Sequence, residues 1–294
     1  VVGAGPAGAS AARAAAASGH RVALVDRASA DDIGRKVCGN ALSVDIVDAM
    51  RPFAGDLRGA EVAAGIEACD VCLPGGGEKI HIERRGVVLN RLVFGQRLLA
   101  DALSAGAELI DGCACVGWAD REDRVVRLRE RDGGGAVVRA LVVIDASGYR
   151  ATLTRQRGPL RVERPDAGDV GIGYRQIASL ASPLPDPSTV TVHLMPPGAP
   201  EGYAWVFPMG ERLANVGVGG VVASTDRNLS GLFERHFRGL SGLRMLDPVS
   251  AGSGMVPLGR SRARSIGRCR VSRPPWPGRH PRSWPSRSAG SRRI

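Results

Sequence analysis

Lysine is nearly absent from this chain: Lys36 and Lys79 are the only two among 40 basic residues, the rest being arginine. With 40 Gly and 19 Pro, that scarcity suggests a GC-rich coding sequence. Acidic residues are missing altogether from one stretch. Arg260 to Ile294 carries 11 Arg, 7 Ser, 5 Pro and no Asp or Glu, so the first 259 residues hold 29 basic against 29 acidic groups. The net charge of +11 therefore sits in that stretch and the body is neutral, which removes the charge signal of a nucleic-acid binder, and no nucleic-acid partner is expected. There is no apolar run long enough to cross a bilayer and no secretory leader, so a cytoplasmic protein is expected. Met is absent at position 1 and a strand is already under way at Val1, which predicts that a few residues precede it. Six cysteines include Cys69-x-x-Cys72 and Cys113-x-Cys115. Structural zinc sites favour two knuckles of the two-residue spacing, so reduced thiols packed in strands are expected and no metal.

The opening carries the first motif. Val1-Val2 ends a strand, Gly3-Ala4-Gly5-Pro6-Ala7-Gly8 makes a glycine turn, and Ala9 to Ser18 reads as a helix of small residues. Gly3 permits the turn, Gly5 leaves room for a pyrophosphate against backbone N–H groups, and Gly8 lets helix and strand pack closely. The helix N-terminus then faces phosphate with its partial positive charge. A second strand, Arg21 to Val25, ends on Asp26, where a carboxylate accepts hydrogen bonds from a ribose; Arg27 follows it. FAD and NAD share this unit. An NAD-only dehydrogenase would continue with strand-helix repeats, whereas this chain turns polar and offers Arg35-Lys36-Val37-Cys38-Gly39-Asn40-Ala41-Leu42-Ser43.

That segment resembles the Lys-x-Cys-Gly stretch of the geranylgeranyl reductase family, flavoproteins folded like para-hydroxybenzoate hydroxylase. Gly202-Tyr203-Ala204-Trp205-Val206-Phe207-Pro208, followed by Ala214-Asn215-Val216-Gly217-Val218-Gly219, resembles the family's Tyr-x-Trp-x-Phe-Pro hallmark and the strand after it. Leu89 to Phe94, leading into a helix from Gln96 to Ser104 with Leu98, Leu99 and Leu103 on its core face, resembles a segment near the cofactor. Gly95 stands there where relatives commonly carry an acid. Val137-Val138 and Leu141 to Ile144, closing on Asp145-Ala146-Ser147-Gly148, resemble the second glycine-containing flavin segment, with Arg150 or Arg155 able to approach the phosphates. The resemblance covers residues 1 to about 258.

The resemblance implies an α/β fold: an FAD-binding Rossmann-type, glutathione reductase-like domain interleaved with an antiparallel β-sheet substrate domain. Residues 1–58 and 84–158 are expected to form the first, 59–83 and 159–258 the second, and 259–294 a non-native or disordered tail. FAD is the implied cofactor, held by Gly3, Gly5, Pro6, Ala7, Gly8, Asp26, Arg27, Lys36, Cys38, Gly39, Arg91, Val116, Asp145 and Gly148. A nicotinamide donor, NADPH or NADH, or a reduced carrier would bind transiently, since no second glycine-rich nucleotide unit follows. The implied reaction reduces carbon–carbon double bonds of a prenyl lipid or a prenylated quinone side chain. Cys38, Tyr203 and Trp205 are the catalytic candidates. Tyr203, Trp205 and Phe207 alternate along a strand and so share a face, where they either line the substrate or belong to an ordinary core. A monomer with peripheral membrane contact is expected. Two rivals stay open: an aromatic monooxygenase or halogenase of the same fold, and an inactive remnant. The second arises because relatives continue past Gly259 into a third flavin segment ending in Gly-Asp, where this chain has its arginine-rich tail. A shifted reading frame would explain that tail and predicts weak FAD retention. Leu229 to Phe237 reads as an amphipathic helix that packs, and His193 and His236, without partners in sequence, as satisfied histidines.

Overall fold

The structure is a computed structural model that describes residues 1–75, 78–156, 165–238, 240 and 243–258. The expectations for residues 259–294 lie outside the described residues. In chain order the elements are α1 (Pro6–Ala17), β1 (Val22–Val25), β2 (Ala41–Ser43), α2 (Val44–Ala54), β3 (Val62–Cys72), β4 (Lys79–Leu89), α3 (Arg91–Ser104), β5 (Ala107–Ile110), β6 (Cys113–Asp120), β7 (Val125–Glu130) and β8 (Gly135–Arg139). Then come β9 (Val170–Leu180), β10 (Thr189–Leu194), β11 (Gly202–Pro208), β12 (Leu213–Val221), α4 (Leu229–Arg238) and β13 (Met245–Pro257).

The nucleotide lobe is a small parallel sheet. β1 pairs in parallel with β5, and Val2 adds a bridge to Val25 on one side and to Asp145 on the other. Helices α1 and α3 cover one face. Their contact is built from alanines, Ala12, Ala16 and Ala102, packed with Leu24 and Leu99, because small side chains let helix and sheet approach closely. The meander β6–β7–β8 covers the other face through Val2, Val25, Cys113, Val126 and Leu128. The Asn90 side chain caps α3 by accepting from Val93 N at 3.3 Å, as a polar residue at that position should.

The second lobe is an eight-stranded sheet in the order β13-β9-β12-β11-β10-β3-β4-β2. It is antiparallel except where β10 runs parallel to β3, so the sheet is mixed. β4 passes residue 84 without a break and β2 comes from the 41–43 segment, so the lobes share strands and are not joined there by a linker. Behind this sheet lies α4, whose Leu229, Leu232, Phe233 and Phe237 pack on Ala204, Val206, Val216 and Val218. Apolar residues at i, i+3, i+4 and i+8 put one stripe on the core, and each large ring or branched chain so buried contributes about 1.5–3 kcal/mol.

Four local expectations change. The strands expected at Ala60 to Ile66 and Cys69 to Leu73 are one strand, β3, with a register shift against β4 between Ile66 and Ala68. Leu141 to Ile144 forms no named strand; its end meets Val2 in a single bridge, with the Ile144 carbonyl accepting from Val2 N at 2.9 Å and Ala146 N donating to the Val2 carbonyl at 2.8 Å, and Leu141 stays 79% exposed. α3 starts at Arg91, five residues before Gln96. On that helix Leu98 and Leu99 are buried but Leu103 is exposed, because it lies past the face that meets α1. Gly95 has a structural reason: its Cα side faces Gly34, so any side chain there would run into the Gly34 backbone.

Candidate active site

The glycine turn is shaped for a phosphate. Gly3 has φ +98°, and a Cβ there would collide with the Ala146 carbonyl; one on Gly8 would collide with the Gly3 carbonyl. Gly5 differs, since its Cβ direction opens on free space. The N-terminus of α1, with Pro6 in its first turn, follows directly. Asp26 braces the turn: its carboxylate accepts from Ala4 N at 2.6 Å and Ala28 N at 2.8 Å. A carboxylate has about four acceptor positions, which leaves capacity for ribose hydroxyls.

The other cofactor candidates fall around this turn in different states. Arg27 and Lys36 are exposed. Arg91 stacks on Phe94 at 5.9 Å, with its Nε shielded from solvent and without a hydrogen-bond partner. The Val116 carbonyl accepts from Gln156 Nε2 at 3.3 Å. Asp145 is engaged within its own loop, accepting from Ser147 Oγ, Leu153 N at 2.9 Å and Thr154 N at 2.9 Å. Its pKa is lowered: burial works to raise it and those hydrogen bonds more than offset that. Gly148 takes φ +66° with open space beside it. The open approach at Gly5 and the orphaned Arg91 Nε fit an anionic dinucleotide, so the residues present suit FAD.

The second half of the site is the face of the large sheet opposite α4. Cross-strand partners share a face. Tyr203, Trp205 and Phe207 on β11 stand opposite Gly219, Gly217 and Asn215 on β12, and β9 continues the rows with Gly173 and Arg175. Gly254 and Gly252 of β13 extend them. The three rings form a ladder, with centroids 5.6 Å apart from Tyr203 to Trp205 and 6.1 Å from Trp205 to Phe207. Trp205 is 7% exposed and lies flat over Gly217, where any Cβ would strike its ring. Tyr203 remains 47% exposed as a residue, yet burial of its phenol end, with the nearby Cys38, pushes its pKa up.

Cys38 is carried to this face by its main chain. Trp205 Nε1 donates to Asn215 Oδ1 at 3.1 Å, and Asn215 Nδ2 donates to the Cys38 carbonyl at 2.7 Å. Gly39 rests against Phe207, where a Cβ would come within 2.9 Å of the ring, and Val37 covers Gly252 and Gly254. Asn215 and Arg175 are the residues that reading the sequence did not single out. A lone fully buried amide inside an apolar strand was the available signal for Asn215; Arg175 had none, because only strand register brings it here.

The remaining candidates lie elsewhere. His193 and His236 do meet, with ring centroids 5.1 Å apart. They sit on the α4 side, since His193 pairs with the core residue Ala204. Burial, and then His193, push the His236 pKa down to about 4. Cys69 and Cys72 belong to β3 and the large sheet, Cys113 and Cys115 to β6 and the meander, so the four are not gathered. An apolar hollow of about 540 Å³ between α1 and α2, lined by Ala7, Ala11, Ile46, Met50 and Phe53 among others, shares no residue with the ring-bearing face.

Comparison with known proteins adds a family. The family model described as geranylgeranyl reductase catalytic domain matches residues 169–250, and that described as glucose inhibited division protein A matches residues 1–64. Digeranylgeranylglycerophospholipid reductase 1 of Methanopyrus kandleri is 37% identical over 88% of this chain and 67% of its own length. The reductase of the same name from Methanoculleus marisnigri is 33% identical over 74% of this chain. This chain spans only 54% of that relative's length. Among solved structures, a geranylgeranyl bacteriochlorophyll reductase-like protein of Thermoplasma acidophilum superposes with a TM-score of 0.75 at 25% identity, over 88% of this chain and 66% of that one. The myxobacterial chondrochloren halogenase, at TM-score 0.63 and 18% identity over 86% of this chain and 62% of that one, shares the fold. The chain belongs to the geranylgeranyl reductase family of FAD-dependent flavoproteins.

Proposed function

We infer that this chain carries the catalytic part of an oxidoreductase that saturates carbon–carbon double bonds in a geranylgeranyl-type lipid or a prenylated quinone side chain. The observation that supports it best is the ring ladder over a glycine floor, with the Cys38 segment resting on one end of it through Gly39 and the Cys38 carbonyl. Aromatic faces and bare backbone suit a long, thin, apolar chain. The Gly3 to Gly8 turn, Asp26 and the 36–39 segment would hold FAD, which when bound and reduced would supply the hydride. The chain's own residues do the rest. An isolated alkene has no carbonyl to polarise, so the sheet must exclude water and fix the alkene's height and orientation. Trp205 and Phe207 set that height, and Asn215 fixes both Trp205 and Cys38.

Saturation adds hydride to one carbon and a proton to the other. The Cys38 thiol gives the proton and recovers one from solvent. Electrons arrive from a nicotinamide or a reduced carrier that docks transiently. Among the described residues no helix is long and apolar enough to cross a membrane, and the lipid is met by contact with the membrane surface.

Anaerobic incubation of the FAD-loaded, dithionite-reduced protein with geranylgeranyl lipids, read by mass spectrometry, should show gains of two hydrogens per double bond. No gain with any prenyl lipid, together with hydroxylation of a phenol in air, overturns the assignment. In the same assay Cys38→Ser should lower turnover by about 10²-fold or more, the usual worth of a general acid, while lipid binding persists.

A further inference from the structure

The ring-bearing face holds a cation that no carboxylate among the described residues neutralises. Arg175 projects from β9 on the same side as the ring ladder, between Gly217 of β12 and Gly252 of β13. Its Nη1 donates to the Ser250 hydroxyl at 2.7 Å and the Ser250 carbonyl at 3.3 Å. Its Nε is shielded from solvent with no acceptor, and no carboxylate among the described residues pairs with it. Burial lowers its pKa, with the nearby Cys38 opposing. A guanidinium placed in this way carries an uncompensated desolvation cost, and its planar fork is the side chain best matched to a phosphate.

We propose that Arg175 anchors the phosphate of the substrate's head group, making it the residue by which this face prefers prenyl chains with an anionic head over neutral ones. Arg175 and the ladder are separated by β12 alone, two strand spacings or about 10 Å, so one prenyl chain touches both. Between them the Trp205 ring covers Gly217 and reaches toward Gly173 of β9, so an apolar chain lying along that ring is led toward Arg175. Neither Ser250 nor Cys38 supplies a full compensating charge in the fold, and a phosphate does. This assignment rests on the prenyl-binding function inferred above and adds the chemistry of the head.

The test is equilibrium binding of geranylgeranyl phosphate and geranylgeraniol, two ligands with one chain and different heads, to the protein, Arg175→Gln and Arg175→Lys. The unaltered protein should bind the phosphate at least tenfold more tightly. Arg175→Gln should abolish that preference while leaving the alcohol's affinity within twofold, and Arg175→Lys should retain part of it. A purely structural clamp on Ser250 would weaken both ligands together, which overturns the proposal. So does equal affinity of the unaltered protein for the two ligands, a reading that stands even if Arg175→Gln fails to fold. Loss of FAD binding in Arg175→Gln with the phosphate preference intact would assign the guanidinium to the cofactor instead. If the unaltered protein binds neither prenyl ligand, the prenyl-binding function itself falls, and the assignment of Arg175 with it.

Discussion

Glycines 3, 5 and 8 are separable at the level of single residues. A side chain at Gly3 or Gly8 meets backbone, whereas one at Gly5 meets nothing, and Gly5 already has the ordinary extended dihedrals φ −65° and ψ 178°. Gly5→Val should therefore fold with an unchanged thermal midpoint and lose FAD, because the valine fills the approach to the phosphates. Gly8→Ala should instead lower the midpoint. Flavin retained at full occupancy by Gly5→Val would show that the turn binds something else. Asn215 is the other decisive residue. Asn215→Ala removes the acceptor of the Trp205 indole and the donor to the Cys38 carbonyl at once. Both groups lie in a shielded region, so the loss should destabilise by about 1–3 kcal/mol. It should also free the Trp205 ring, which a shift in near-UV circular dichroism will report.

At the scale of elements, α4 is the part whose stability follows pH. His236 is the group concerned, with its folded pKa near 4 against about 6.5 for a free histidine. A depressed histidine pKa means that the unfolded chain takes up protons first. Its contribution is complete above about pH 6.5 and is lost progressively as pH falls from there toward 4. His193, also lowered by burial, acts in the same direction. Arg235, on the same helix, is ion-paired to Asp226 at 2.6 Å, and Asp226 loses that partner's benefit only at lower pH because its own pKa is depressed. His236→Phe should thus flatten the fall in thermal midpoint between pH 6.5 and 4.5, and an unchanged slope would remove His236 from the account. Much of α4 could be read in advance, since its apolar spacing is local. The glycine turn and the alternating rings of β11 were legible for the same reason. What could not be read was pairing at a distance. Nothing in Thr189 to Leu194 announces a parallel partnership with β3, and the apolar run Leu141 to Ile144 looks like a strand although only its last residue, through the Ile144 carbonyl, and its neighbour Asp145 meet Val2. Asn215 and Arg175 entered the site by register, a property no single segment carries.

The whole molecule is held together by a few joints between its lobes. One is Arg97 on α3, which meets Glu61, the residue just before β3, at 2.7 Å, reaches Asp101 at 2.9 Å, and donates to the Ala54 carbonyl at the end of α2. Glu61 is 1% exposed, and its partnership keeps the Arg97 pKa raised. Glu61→Gln leaves the guanidinium buried with half its countercharge and should cost about 3–5 kcal/mol, measured as a lower urea midpoint. A drop below about 1 kcal/mol would mean that Asp101 alone suffices. The parallel pairing of β3 with β10 also governs how such a chain comes together. β3 and β4 can form a hairpin as soon as both are made, but the outer side of β3 then has a row of unpaired amides and carbonyls until Thr189 to Leu194 arrives. During synthesis that row is an open edge, the kind that recruits a strand from another molecule, so the interval before β10 docks is when this protein is most prone to aggregate.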